Sequence, residues 1–356
     1  MKIKNKHKSY KKINLIWKSG AVIVLLTLFI ISAFLNFFNW QDNNLALQNI
    51  TNSNFLLDVN ESMNLIQKRV EVYADTLYSA RGIFSAFDNV SRDKWDKYLK
   101  SQNITDRFPG IAIISYTERV NDSNLNKFIN DVKTDESLTK GGYPAFKISP
   151  RGVGPDHFIT KYVFPSQGNE KALGYDLTGE KSRNIAAIQA RDSGLPTLTS
   201  PVQLVFDSVP QSAYAIIIPL YKNNTDTSTL ESRRENHVGF IGLSFRVKPV
   251  IENIFSSNTS YPSLNFNIWD NSISDNYSVY KRFNNSSSNT NIQRVVELNV
   301  AGRKWIFQFS GDKNYKSSEA ELIYPTKCFI IGTCINIIFL CLFIYYLFKV
   351  WSENKI

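Results

Sequence analysis

The sequence predicts an α+β protein carried between two membrane helices. Three observations predict it. Apolar runs at residues 21–38 and 328–348 stand near the two ends of the 356-residue chain. Residues 39–81, which follow the first run, contain neither proline nor glycine. Beyond them, short helical and strand-like patterns are mixed, which argues for α+β rather than an alternating α/β order.

Each apolar run approaches the ~20 residues that cross a bilayer as a helix. Lys2, Lys4, Lys6, Lys8, Lys11, Lys12 and Lys18 crowd the flank of the first run, with no acid among them. Lysine close to a span stays in the cytoplasm, so residues 1–20 are expected inside, residues 39–327 outside, and residues 349–356 inside again. A cleaved signal peptide is the other reading of the first run. Against it, no small-x-small site follows, and the run exceeds the usual ~7–15 residues of such a segment.

The formal charge of +10 is concentrated in the tails, with seven charges in the N-terminal tail and one in the C-terminal tail. The outer region is then nearly neutral. The basic balance reports topology and gives no reason to expect nucleic acid. Cys328, Cys334 and Cys341 all lie in the second run. The outer region therefore has no disulfide and no thiolate zinc site, and must be held by its own core.

Within it, residues 39–90 read as a stalk helix. Leu56, Val59, Met63, Ile66, Val70, Tyr73, Leu77, Ala80 and Phe84 recur every three or four positions. Such a stripe packs on the chain's own domain or forms a homodimer seam, and the pattern serves both. Residues 91–99 read as a helix capped by Ser91, and residues 111–116 as a buried strand entered through Pro109-Gly110. Residues 123–132 are helical and residues 140–155 a Gly/Pro-rich loop. A strand at 158–164 stops at Pro165. A helix at 178–190 has Thr178 as its cap and Gly194 past its end. Strands follow at 198–206, 214–221 and 238–247, then a short helix at 250–255. Residues 264–269, 278–283, 294–299 and 305–309 read as strands, the last two a hairpin through Ala301-Gly302. The polar run at 223–236 marks a seam between lobes at 91–225 and 226–320.

Three stretches carry a family resemblance: FPGIAIISYTERV at 108–120, LGYDLTGEKSRNIAAIQARDSGLPTLTSP at 173–201, and GFIGLSFRVKPV at 239–250. With Pro219-Leu220-Tyr221 at a strand end, they resemble the CHASE domain, the extracellular sensor module of cytokinin-receptor histidine kinases and many bacterial signalling proteins. The resemblance implies a long N-terminal helix followed by two PAS-like α/β lobes, with a small-molecule ligand in the membrane-distal lobe at 91–225. It also implies a homodimer. Family members usually continue after the second span into a kinase or cyclase, whereas eight residues follow here. The expectation is thus a membrane-anchored sensor that signals through a separate kinase or cyclase in the membrane. The alternative is a structural or assembly protein whose lobes only dimerise.

By the same resemblance, Asp176 corresponds to the aspartate that meets the polar edge of an adenine ring in the plant receptors. A carboxylate in an apolar pocket can accept two N–H donors of a heterocycle. The other use of Asp176 is to cap the helix that follows. Leu198 and Thr199 match the segment that faces the family's pocket, although Leu198 also suits a plain buried strand. Tyr162 and Phe164 are candidate aromatic walls, with alternation along their strand leaving the inward face open. No catalytic residue, metal or cofactor is expected. His157 and His237 lie in no metal-ligand spacing and read as surface histidines, and Gly152-x-Gly154 lacks the strand-to-helix setting of a phosphate loop. In the second run Asn336 is the one strongly polar side chain near the middle. Such a residue bonds across a helix interface, worth ~0.6–2 kcal/mol, or is satisfied locally.

Overall fold

The structure, a computed structural model, describes residues 2–87, 89–209, 211–256, 264–271, 278–282, 292–312 and 314–353, with the side chains of residues 2–19, Val350 and Glu353 left aside. Phe283, expected to end a strand, and Lys355 of the C-terminal tail lie outside the described residues. In chain order the helices are α1 (Lys2–Ala86), α2 (Arg92–Ser101), α3 (Ile104–Arg107), α4 (Leu125–Lys133), α5 (Lys181–Ser193), α6 (Leu230–Asn236), α7 (Val247–Ser256) and α8 (Glu319–Glu353). The strands are β1 (Ile111–Asn121), β2 (Asp156–Phe164), β3 (Thr197–Leu198), β4 (Ala213–Tyr221), β5 (His237–Arg246), β6 (Asn265–Asp270), β7 (Ser278–Arg282), β8 (Ile292–Val300) and β9 (Arg303–Gly311). Contacts divide the chain into two compact units, one of Asp58–Ser288 and Gln293–Ser310, the other of Met1–Leu57, Asn289–Ile292 and Gly311–Ile356.

The first unit holds two antiparallel sheets. The larger has strand order β2-β1-β5-β4-β3, and the smaller β7-β6-β9-β8. Strand β5 pairs with both β1 and β4, so the larger sheet runs to Arg246. The sheet thus extends past residue 225, where the seam between lobes was expected. The polar run at 223–236 is a surface connection that includes α6 and joins two neighbouring strands, and a connection is polar because its backbone faces water. Helix α6 starts at Thr229, whose side chain accepts from Ser232 N in a capping box.

One face of the larger sheet packs on α1. Val59, Met63, Ile66, Tyr73, Leu77 and Ala80 are buried, and the rings of Tyr73 and Phe245 lie 5.5 Å apart. Phe84 reaches Tyr116 at 4.5 Å. The stripe is therefore spent on the chain's own sheet. Val70 and Phe84 are half-buried, and Leu56 is 43% exposed, while its neighbour Phe55 is buried. On the other face Phe158, Tyr175, Leu177, Ala186, Ala187, Ala190, Ile217 and Phe240 form a core beneath α5. Small alanines let α5 lie close to the strands. Helix α5 begins at Glu180, whose carboxylate accepts from Ser182 N and Arg183 N. This displaces the cap expected at Thr178, because Leu177–Gly179 is a separate 3-10 turn. Gly194 ends α5 at φ 76°, a left-handed conformation open to glycine.

The two sheets are joined by residues 198–200. Leu198 N donates to Ala301 O at 2.9 Å, and Arg303 Nη1 donates to Ser200 Oγ at 3.3 Å. Arg303 also pairs with buried Asp270, which accepts from Tyr214 OH at 3.2 Å. The turn Ala301-Gly302 has positive φ at both residues, the geometry that matches the twist of a two-residue hairpin.

In the second unit, α1 and α8 each contain an apolar stretch long enough to cross a membrane. A polar seam links them. Ser32 Oγ donates to Asn336 Oδ1 at 2.7 Å, and Asn36 Nδ2 donates to Phe329 O and Thr333 Oγ1, both at 3.2 Å. Gly332 faces Asn36 so closely that a Cβ would stand 2.2 Å from its Oδ1. Asn336 thus bonds across a helix interface inside the chain. Toward the outer end, Phe55 meets Tyr315 edge-on at 5.4 Å, and Thr51 shares a 2.9 Å hydrogen bond with Ser317.

Candidate functional site

A cavity of about 50 Å³ lies on the α5 face of the larger sheet. Its floor is made by alternate residues, Ile113, Ser115 and Thr117 of β1, Phe240, Gly242 and Ser244 of β5, and Ala215 and Ile217 of β4. Alternation places all of these on one face. Thr160 of β2 adds a fourth hydroxyl, its Oγ1 3.4 Å from that of Thr117. Gly242 keeps the floor low, since a Cβ there would sit 3.1 Å from Ser115 Oγ.

The roof comes from two segments. Ala172, Tyr175, Leu177 and Arg183 close one side, and Leu204, Val205 and Phe206 the other. Arg183 ties the two together. Its Nη1 donates to Tyr175 OH at 2.8 Å and its Nη2 to Gln203 O at 3.1 Å, with the guanidinium 4.6 Å over the Tyr175 ring. Burial pushes the Tyr175 hydroxyl above its ordinary range, an effect the nearby Arg183 opposes. At the end of the second segment, Arg246 Nε bonds both oxygens of Asp207.

None of the five residues expected at the site lines this cavity. Asp176 is 0% exposed, yet its carboxylate is fully used by the chain. Oδ1 accepts from Phe158 N (3.1 Å), Thr178 N (3.0 Å) and Thr178 Oγ1 (2.7 Å). Oδ2 accepts from Gly152 N (3.0 Å) and faces His157 Nδ1 at 2.8 Å. Burial pushes its pKa up, but these hydrogen bonds outweigh burial and hold the carboxyl below the usual carboxylate range. Its two neighbours, Tyr175 and Leu177, line the cavity while Asp176 turns to its own turn and the 152 loop. These are the contacts of the capping use, with the carboxylate capping the 3-10 turn Leu177–Gly179.

Tyr162 and Phe164 are buried on the opposite face of the sheet. The β1–β2 register shifts between Tyr116 and Thr117, so that Tyr116 pairs with Tyr162 and Thr117 with Thr160. The extra residue, Lys161, reverses the alternation, which is why pattern alone could not choose the face. Tyr162 OH donates to Val90 O at 2.9 Å and its ring packs on Trp95 and Tyr116. Burial pushes its hydroxyl up to about 12. Leu198 and Thr199 are buried beside β4, where Thr199 Oγ1 accepts from Ala215 N at 3.0 Å. They touch the strand behind the cavity and the joint between sheets.

The two histidines expected at the surface are buried, at 1% and 2% exposure. His157 sits between Asp176 and Asp122, with Nε2 3.3 Å from Asp122 Oδ1. His237 lies among the rings of Phe158, Phe240 and Tyr221, and neither ring nitrogen has a hydrogen-bond partner among the described residues. Burial pushes its pKa down to about 3, so the ring is neutral near pH 7. Among the described residues no group of three or more His, Cys, Asp or Glu is placed to hold a metal ion. Sequence reasoning missed Ser115, Thr117, Thr160, Tyr175, Arg183 and Ser244. For the four hydroxyls the available signal was small polar residues among the apolar positions of β1, β2 and β5.

The sequence profile of the CHASE domain matches residues 88–280, more than half of the chain. The chain belongs to the CHASE domain family. CHASE is a sensor domain, and in this chain two apolar helices flank it. Hybrid signal transduction histidine kinase A of Dictyostelium discoideum is 22% identical over 272 residues, or 68% of this chain and 12% of its own length. The chain thus spans about an eighth of that relative. An extracellular ligand binding receptor from Desulfohalobium retbaense superposes with a TM-score of 0.40 at 9% identity, over 69% of this chain and 39% of the receptor. The ligand-binding domain of the Pseudomonas aeruginosa amino acid chemoreceptor PctC, solved with GABA, gives 0.37 at 12% identity, over 73% of this chain and 99% of that domain.

Proposed function

We propose that this protein is a membrane-anchored CHASE-type sensor that binds a small ligand outside the cytoplasm, in the cavity between the larger sheet and α5. The observation that carries the reading is the cavity itself, a row of hydroxyls set into an apolar sheet face and roofed by an arginine-tied pair of segments. Small-molecule sites are mostly apolar with a few convergent polar groups. Seven lysines before the first span support an N-terminus inside and a CHASE domain outside the cytoplasmic membrane. The two sheets are then the two PAS-like lobes. The output partner in this reading is a kinase or cyclase of the same membrane, packed against the outward apolar residues of α8 such as Ile335, Ile338 and Leu342.

A thermal-shift screen of the full chain in detergent tests the ligand site. A ligand at 100 times its Kd adds about 2.7 kcal/mol. The Ala215→Leu variant, which fills the cavity floor, should lose that gain. A ligand that stabilises the variant and the parent equally would refute the site.

A further inference from the structure

Resting on the reading of this cavity as the ligand site, we propose that the ligand is a small monocarboxylate of about four to six heavy atoms, its carboxylate against Arg183 and its carbon end against Leu204, Phe206 and Ile217.

Size is the first argument. Pockets for drug-sized ligands run to about 300–1,000 Å³, against about 50 Å³ here. Each water needs roughly 10–15 Å³ of such space, so the cavity holds a few water-sized groups. A purine ring does not fit.

Charge is the second. Among the residues that line the cavity, Arg183 alone is charged. Its Nη1 is 3.4 Å from Glu180 Oε2, but that carboxylate already caps α5 through Ser182 N at 2.8 Å and Arg183 N at 3.0 Å. Nε of Arg183 makes no hydrogen bond among the described residues, and the side chain is 12% exposed. A half-satisfied, mostly buried guanidinium suits an anion, and its planar fork matches a carboxylate. An amine would be buried beside the like charge of Arg183, and the nearest acid, Glu180, is already paired with Arg183 and engaged in capping α5. Ser115, Thr117, Thr160 and Ser244 offer neutral donors and acceptors, which suit a hydroxyl or a second oxygen on the acid. A ligand this small binds no tighter than the micromolar range.

The experiment is calorimetric titration of the full chain in detergent, in a carboxylate-free buffer, with propionate, lactate and pyruvate as probes. Propionamide, propylamine and adenine are the shape, charge and size controls. The expected result is binding by at least one acid, with propionamide at least about 10-fold weaker and propylamine and adenine silent. Arg183→Gln should weaken the acid roughly 10- to 150-fold, and Ala215→Leu should abolish it. Should Ala215→Leu fail to fold, the near-isosteric Thr160→Val serves as the cavity variant and should weaken the acid. Equal binding of propionamide, or an unaffected Arg183→Gln, overturns the acid while leaving the cavity as the site. So does adenine binding that the cavity variants block. No heat from any acid overturns the proposal. Acid binding indifferent to every cavity variant overturns both the proposal and the site.

Discussion

At the scale of single residues, the buried polar groups decide more than the apolar ones. Asp176 closes a node of five hydrogen bonds around one carboxylate. Asp176→Ala strands three backbone N–H groups, a threonine hydroxyl and a histidine, so it should cost at least ~3 kcal/mol by denaturant unfolding. An unchanged midpoint with lost ligand binding would return Asp176 to the ligand. The carboxyl is held below its usual range, so its contribution is present above pH ~4 and fades as pH falls through the lowered folded value. His237 runs on a different window. Its folded pKa is lowered to about 3, so the unfolded chain binds the extra proton below its own pKa of ~6.5. Stability is then full above pH ~6.5 and declines toward pH 3, by about 2 kcal/mol at pH 5. His237→Phe should remove that difference between pH 7 and pH 5. A variant that keeps the parent's slope would assign the effect elsewhere.

At the scale of elements, α1 does two jobs that the sequence could not separate. Most of its stripe from Val59 to Ala80 is buried within the chain's own fold, with Tyr73 against Phe245 of the larger sheet. Leu77→Ala should therefore cost ~2–5 kcal/mol as a core truncation. If two chains do pair through α1, they must use the outward face, where Gln67 and Glu71 are exposed. Cysteines there should crosslink between chains, and a cysteine at Met63 should not. Crosslinking at Met63 alone would restore the seam. The same helix meets α8 through Ser32, Asn36, Thr333 and Asn336. In a cysteine-free background, cysteines at Ser32 and Asn336 should join within one chain under a short thiol crosslinker. Only interchain products would move Asn336 to a partner.

At the scale of the whole molecule, topology is the claim to check first. Single cysteines at Ser101 and Lys127, both exposed and both in the CHASE domain, should react with an impermeant reagent in intact cells. Protection of both until lysis would invert the orientation. Within the CHASE unit, the joint of Arg303, Asp270 and Tyr214 couples the two sheets, and Ser200 brings that coupling within a few residues of the cavity roof. Arg303→Ala removes a cation paired with the buried Asp270 and should lower stability in denaturant unfolding, by up to about 3–5 kcal/mol.

Composition and period alone fixed the α+β class, the two apolar helices, the long helix between them and the positions of most strands. Those features are local, since a residue's chain neighbours set helix and strand periods. Family motifs at 108–120, 173–201 and 239–250 were likewise legible as strings of residues. What only the tertiary structure decided was direction. The bulge at Lys161 turned Tyr162 and Phe164 away from the cavity, a matter of pairing between residues such as Thr117 and Thr160, 43 apart in sequence. The 152 loop and His157 claimed Asp176, and the sheet claimed the α1 stripe. The proposed site is built instead from hydroxyls and an arginine that look ordinary one at a time. A side chain's chemistry is written in the sequence, but its partner is chosen by whichever distant segment reaches it first with the better geometry.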